Sequence, residues 1–331
     1  MLTGDRYGVH DGETVTNERK YQDLSDCMTA NAARFAAHKA HYVRGTLDSI
    51  LANEKLTPEQ RKEHAAQAMS LFHHWGDAEQ NFAVQSAQMA QKWQDFTADG
   101  DEYLLQYRTA MDEKVREEHA ALQGTTLPVD DPFWDKYYPP LGWNCRCTVA
   151  QVRRGKYQES DSAKACELGE SCTANTPSFR FNPGKAKIAF PDGVSYFKHA
   201  GEDTSKKVIG IARQSFRETF HDYEKIIRYN ETDLDIDGIS IMEVSKGSAS
   251  DKTYFYKQEI LLHIENYLSK LVSKGSEPID LTHNNPHNVF YRRKLQFLRM
   301  NVYELSVNGF LYTVKMGVYR DGHLNLYTIT G

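Results

Sequence analysis

Apolar residues from about 18 to 53 recur at three- and four-residue spacing, with no Pro and no Gly before Gly45. That period predicts one long helix. Leu56-Thr57-Pro58-Glu59 then resets the chain: Thr57 suits an N-cap and Pro58 the first helical turn. A second helix is predicted to about Phe96, with Met69, Phe72, Trp75, Phe82, Met89 and Trp93 as its apolar stripe. Residues 102–108 read as a strand. A short helical piece follows around 112–122. From there to Val149 the chain is dense in Pro, Gly and aromatic residues, which predicts an irregular packed layer.

Beyond this layer the pattern predicts a helix over 204–230, a loop at Lys246-Gly247-Ser248-Ala249-Ser250, and a helix over 256–274. The last 34 residues alternate around Asn308-Gly309 and Asp321-Gly322, two strong hairpin signals. With two-residue loops at both, Val307 faces Phe310 and Arg320 faces His323. One face of the resulting three-stranded meander then collects Tyr303, Leu305, Val307, Phe310, Tyr312, Val314, Met316, Val318, Tyr327 and Ile329. It should pack on the helix before it. The other face sets Glu304 beside Thr313 and Thr330, and Val302 beside Lys315 and Thr328. The fold class is α+β: a helical N-terminal region, an irregular Pro/Trp/Cys-rich layer, then a small domain of helices and an antiparallel meander.

Composition narrows the class. With 331 residues, 40% hydrophobic and 26% charged, the chain can fill about two packed cores, which excludes global disorder. No stretch nears the roughly 20 apolar residues of a membrane span, and residues 1–12 hold no apolar signal-peptide core, so no membrane role is expected. The net charge of -5 argues against a wholly basic nucleic-acid coat. Yet from Asn285 onward six Lys and Arg stand against two acids, so the C-terminal end is locally basic.

The five cysteines are Cys27, Cys145, Cys147, Cys166 and Cys172. Four of them form C-x-C-x18-C-x5-C, an odd fit to a secreted disulfide framework. Three readings stay open for Cys145, Cys147, Cys166 and Cys172: a structural zinc site, free thiols, or a disulfide.

Several motifs stand in order: Tyr107-Arg108, Asp112, Arg116, His119, Leu122 and Gly124; then Asp131-Pro132-Phe133-Trp134; then Pro139-Pro140-Leu141-Gly142-Trp143-Asn144-Cys145-Arg146-Cys147. Together they resemble the phage Mu F-like family of minor head (head morphogenesis) proteins. Phe181-Asn182-Pro183-Gly184-Lys185 resembles a downstream element of the same family. The resemblance covers roughly residues 60–200 and implies a structural role in capsid assembly, with portal and other capsid proteins as partners. It places the chain in the virion interior or the bacterial host cytoplasm. Asp112, Arg116 and His119 lie at helical spacing. They could form an acid–base pair on a helix face. The favoured reading is structural: Arg116 and His119 hydrogen-bond the turn backbone of 124–147, Gly142 serves its turn, and Trp134 anchors the layer.

A second resemblance covers about residues 250–331. A helix, the basic run Phe290-Tyr291-Arg292-Arg293-Lys294 and the strands ending the chain look like phage-associated barnase/EndoU/colicin/RelE-like nucleases. That group implies a toxin or effector domain that cleaves RNA without a metal cofactor, and an immunity protein as a further partner. The residues placed for it are Lys315, Thr328, Thr330 and Glu304 on the open sheet face, with His287 or His283 as acid, base or turn cap. Arg292, Arg293, Lys294 and Arg299 are the RNA-binding candidates. The alternative is a C-terminal domain that binds portal, scaffold or nucleic acid without catalysis. The expected divisions are a flexible tail at 1–16, a Mu F-like domain at 17–203, a helix and connector at 204–250, and a nuclease-like domain at 251–331.

Overall fold

The computed structural model describes residues 13–198, 202–246, 248, 250–282 and 285–331. The expected tail therefore lies outside the described residues up to position 12, as do His283, Gly247 and Ala249. Helix α1 (Glu13–Leu51) already begins within the rest of that tail. Helix α2 (Pro58–Ala98) starts where the Thr57-Pro58 signal placed it. The Thr57 hydroxyl accepts from the Gln60 N–H at 3.2 Å, and the Thr57 N–H donates to Gln60 Oε1 at 2.9 Å, a capping box. Phe72, Phe82, Met89 and Trp93 of the expected stripe are buried. Met69 and Trp75 are 48% and 40% exposed. Part of the expected stripe therefore stays in water.

Strand β1 (Tyr103–Arg108) is the centre of a small antiparallel sheet. The chain then runs through helix α3 (Glu117–Ala120), strand β2 (Thr126–Leu127), helix α4 (Phe133–Lys136) and strand β3 (Thr148–Arg153). Leu105 pairs with Leu127, and Tyr107 with Val149. The helix expected over 112–122 shrinks to α3, because Met111 sits at φ +52 and the chain turns there. Between α3 and β3 the layer is irregular yet deeply packed, with Phe133, Trp134, Tyr138 and Leu141 all fully buried. Helix α5 (Ser162–Cys172), capped by Asp161, and the one-turn helices α6 (Pro183–Ala186) and α7 (Ser195–Lys198) complete this half.

Helix α8 (Glu202–Phe220) stops short of the expected end at 230. Strands β4 (Lys225–Tyr229) and β5 (Thr232–Ile236) follow as a hairpin. Its turn residues Asn230 and Glu231 have φ of +48 and +65. Ile226 and Ile227 continue the helical period of α8, and an Asn-Glu turn lacks the glycine that announces a hairpin. Helix α9 (Gly238–Val244) is capped by Asp237, and α10 (Asp251–Leu262) by a Ser250–Thr253 box. The helix expected over 256–274 is thus displaced. Its last three residues open strand β6 (Val272–Glu277). Helix α11 (Val289–Lys294) precedes β7 (Phe297–Val307), β8 (Phe310–Tyr319) and β9 (Leu324–Thr330). The three-stranded meander is in fact the core of a six-stranded sheet, ordered β4-β5-β9-β8-β7-β6, in which β5 and β9 run parallel.

The first hairpin has the expected register, with Asn308 and Gly309 at φ +48 and +80. The second does not. The Tyr319 N–H donates to the His323 carbonyl at 2.9 Å, which leaves a three-residue loop with Gly322 at φ +94. An irregularity between Lys315 and Met316 restores the expected pairs Lys315–Thr328 and Thr313–Thr330. Below it Met316 faces Leu326 instead. Leu324 and Leu326 thereby join Leu305, Tyr312 and Ile329 in the main core. Tyr327, expected on that face, packs with Phe297 and Met300 in a separate cluster.

The meander's apolar face covers Tyr254, Ile260 and Leu261 of α10, and also Cys27 and Ala30 of α1. Leu24, Met28 and Phe35 of α1 join a different core with Phe82 and Phe190. The first helix therefore belongs to two cores at once. The fold is α+β, and among the described residues no helix is long and apolar enough to cross a membrane.

Candidate functional site

The densest chemistry lies where α3 meets the loop entering β3. His119 Nδ1 is 3.6 Å from Cys145 Sγ and 3.7 Å from Cys147 Sγ. His119, Cys145 and Cys147 are 4%, 6% and 2% exposed. The local sequence explains the convergence. An extended C-x-C sends its first and third side chains to one side and the middle one to the other. Arg146 accordingly points outward, where both terminal nitrogens meet the Asp112 carboxylate at 2.6 Å. The Cys145 N–H donates to the Gly142 carbonyl at 3.1 Å, and Asn144 adopts φ +56, so the loop arrives as a tight turn. Arg116 clamps it by donating to the Trp143 carbonyl at 2.7 Å.

The acid–base arrangement, the less favoured of the two readings, does not form. Asp112 lies in the turn before α3 and answers Arg146, while the His119 ring faces two sulfurs rather than the turn backbone. A hydrogen bond from Cys147, with a further one from His119, holds the Cys145 thiol well below its ordinary range, and the same partnership pushes Cys147 up. Tyr107 of β1 is fully buried, and the polar group beside its hydroxyl is the Cys147 thiol. Burial beside the two thiols pushes it well above the usual phenol range.

Of the three readings left open for the four cysteines, a single site built from all four does not form. Cys166 and Cys172 lie on α5, half-buried, outside the His119–Cys145–Cys147 group, whose donor atoms all lie within 4.8 Å of one another. Four cysteines close in sequence are placed on a strand entry and a separate helix, while the third donor comes from α3. A histidine upstream of a C-x-C is visible in the sequence, but only the sheet brings the two together.

On the C-terminal sheet, Lys315 stands beside Thr328 and Glu304 beside Thr313, which is itself beside Thr330. Thr328 is 8% exposed, and Thr330 is exposed. Strand β6, overlapped at its start by the expected helix, adds two charges to this face. Lys315 pairs with Glu277 at 2.6 Å and Glu304 with Lys274 at 3.2 Å. The basic helix α11 stands apart from these rows. Arg293 pairs with Asp237 at 2.6 Å and donates to the Tyr319 hydroxyl at 3.0 Å. Lys294 donates to the Asp280 carbonyl at 3.0 Å, while Arg292 and Arg299 are exposed. His287 is exposed, its N–H capped by Asn285 at 3.0 Å, and among the described residues no hydrogen bond ties its ring to the sheet.

A second constellation escaped the sequence reading. Asp26 of α1 meets Glu259 of α10 and His263 just after it. Burial, together with the Asp26 carboxylate, pushes Glu259 up to about 7, and the Tyr267 hydroxyl donates to Asp26 at 2.9 Å. The four-residue spacing of Glu259 and His263 is legible, but Asp26 is remote in sequence.

With this geometry in place, comparison with known proteins locates the first site. Residues 53–150 match the family described as Phage Mu protein F like protein. The match takes in α2, the irregular layer and the His119–Cys145–Cys147 group, and it ends before the Phe181–Lys185 element. The putative capsid assembly protein F of Escherichia phage Mu is 44% identical over 54 residues, which are 16% of this chain and 12% of that protein. The Mu-like prophage FluMu F protein of Haemophilus influenzae is 37% identical over 98 residues, 25% of this chain and 24% of that protein. The chain thus matches a quarter or less of the length of these two curated relatives. No solved structure matches.

Proposed function

We propose that this chain is a phage or prophage minor head protein that acts in capsid assembly, with portal and other capsid proteins as partners. The observation that carries the reading is the F-like match over residues 53–150, one of whose relatives is named a putative capsid assembly protein. In the phage or prophage that encodes it, the chain should co-sediment with assembled heads after induction, and its deletion should sharply reduce filled heads seen by electron microscopy. Heads of normal yield and filling without the protein would sink the reading.

The C-terminal sheet admits two finer readings. The first is a metal-independent ribonuclease, toxin-like and held in check by an immunity protein. Its support is the resemblance of residues 250–331 and the side-by-side placement of Lys315 and Thr328. The second is a surface that binds portal, scaffold or nucleic acid without catalysis. The Lys315–Glu277 and Glu304–Lys274 pairs favour it, because they neutralise the charges that a phosphate would need. The full chain is the proper reagent, since Cys27 and Ala30 of α1 are part of the sheet's core. If the first reading holds, the chain cleaves RNA in the presence of a chelator, and Lys315→Ala slows cleavage about 100-fold or more. Intact RNA at high protein concentration selects the second.

A further inference from the structure

The three donors at the α3–β3 junction are arranged as a metal site. We propose that His119 Nδ1, Cys145 Sγ and Cys147 Sγ bind one zinc-class divalent ion, with solvent in the fourth position. The argument is geometric. A tetrahedral zinc with Zn–S near 2.3 Å and Zn–N near 2.0–2.1 Å sets its nitrogen and sulfur ligands about 3.6 Å apart. The observed separations are 3.6 and 3.7 Å. One ring nitrogen can satisfy only one of the two thiols by a hydrogen bond, whereas a single ion reaches all three donor atoms at these distances.

Charge and burial agree with this. Two thiolates and a divalent cation sum to zero, which a buried site accepts far more readily than an isolated thiolate. The Tyr107 hydroxyl supplies a second, independent sign. It is fully buried and lies against the same thiols, with Cys147 as the polar group beside it. A metal-bound Cys147 thiolate is a strong acceptor for that hydroxyl, and such outer-shell bonds hold ligands in place. Arg116, already bonded to the Trp143 carbonyl, fixes the loop that carries both cysteines. The ion would bolt this loop to α3 and so to β1, inside the segment that the F-like family shares.

The test uses the full chain purified under reducing conditions, loaded with zinc and freed of excess metal. One equivalent of zinc should be retained by the parent chain and by Cys166→Ser and Cys172→Ser, and lost from His119→Ala, Cys145→Ser and Cys147→Ser. Should those last variants fail to fold, the parent chain loaded with cobalt(II) decides. It should show a thiolate-to-cobalt charge-transfer band and the visible bands of a tetrahedral ion, and Cys145→His should keep the metal with a weaker thiolate band. No retained metal in the parent chain, or equal loss from Cys166→Ser and Cys172→Ser, overturns the proposal.

Discussion

Asp251→Ala is expected to lower the stability of the chain by roughly 3–5 kcal/mol, read as a shift of the chemical denaturation midpoint. Asp251 stands at the start of α10, its side chain 8% exposed. Its Oδ2 accepts from Arg34 Nε at 2.8 Å and meets His38 Nε2 at 2.5 Å. Both partners lie on α1, with Arg34 9% and His38 0% exposed at the side chain. Removing the carboxylate leaves a guanidinium and an imidazole buried against α10 with their shared acceptor gone. The remaining partner of Arg34, Asp192, is 56% exposed. Asp192→Ala should therefore cost less than about 1 kcal/mol. Equal losses from the two variants would show that burial does not govern this network.

The same residue sets an acid limit. Burial pushes the Asp251 carboxyl up, but the His38 hydrogen bond and the Arg34 guanidinium outweigh it and hold the group well below the usual carboxylate range. A carboxyl lowered by folding stabilises the native state above its unfolded value, near 3.9, and that contribution fades as pH falls through this range toward the folded value. The stability gap between the parent chain and Asp251→Asn should accordingly be full at neutral pH and shrink below about pH 4.

This network also marks where the sequence stopped being readable. The two long helices and the Thr57 box were legible because caps and period are local. The first hairpin was legible because Asn308-Gly309 fits a turn in which both residues take positive φ. The second hairpin carries an equally strong Asp-Gly signal, but its loop takes three residues, and nothing local to the turn announces the compensating irregularity beside Lys315. One extra residue is enough to move Tyr327 to the other side of the sheet. Strands β4 and β6 were hidden for another reason. The apolar period of α8 runs on into β4, whose Asn-Glu turn carries no glycine signal, while β6 has one apolar residue and is a strand only through its pairing with the later β7.

The candidate sites follow the same division. Lys315 and Thr328 could be placed side by side because both lie within one meander. Their ion-pair partners could not be foreseen, since Lys274 closed the stretch read as helix and Glu277 lay just beyond it, with no sign that both belong to an edge strand. In the irregular layer the individual residues were legible as motif, while their contacts were not. His119, Cys145 and Cys147 converge only because β3 pairs with β1 along its whole length.

Trp134→Ala is expected to cost about 3–5 kcal/mol, and the reason lies in how this layer satisfies its backbone. Between α3 and β3 the chain has little regular structure to bond its own carbonyls. Side chains do it instead. Trp134 Nε1 donates to the Pro128 carbonyl at 2.8 Å, Arg116 to Trp143 at 2.7 Å, and Gln85 to Cys147 at 2.9 Å. Trp134 also receives the Asn182 amide at its own carbonyl at 3.0 Å. Its ring, fully buried, meets Phe133 edge-on at 4.9 Å and Tyr138 at 6.1 Å. Alanine therefore removes a large buried surface and a backbone partner together. Trp134→Phe separates the two, because it keeps most of the ring and forfeits only the Pro128 bond, so it should cost about 1–3 kcal/mol. Hydrogen exchange should rise across residues 128–147 in the alanine variant and much less in the phenylalanine one. If both variants lose under about 1 kcal/mol, the layer is held by its tyrosines and not by Trp134.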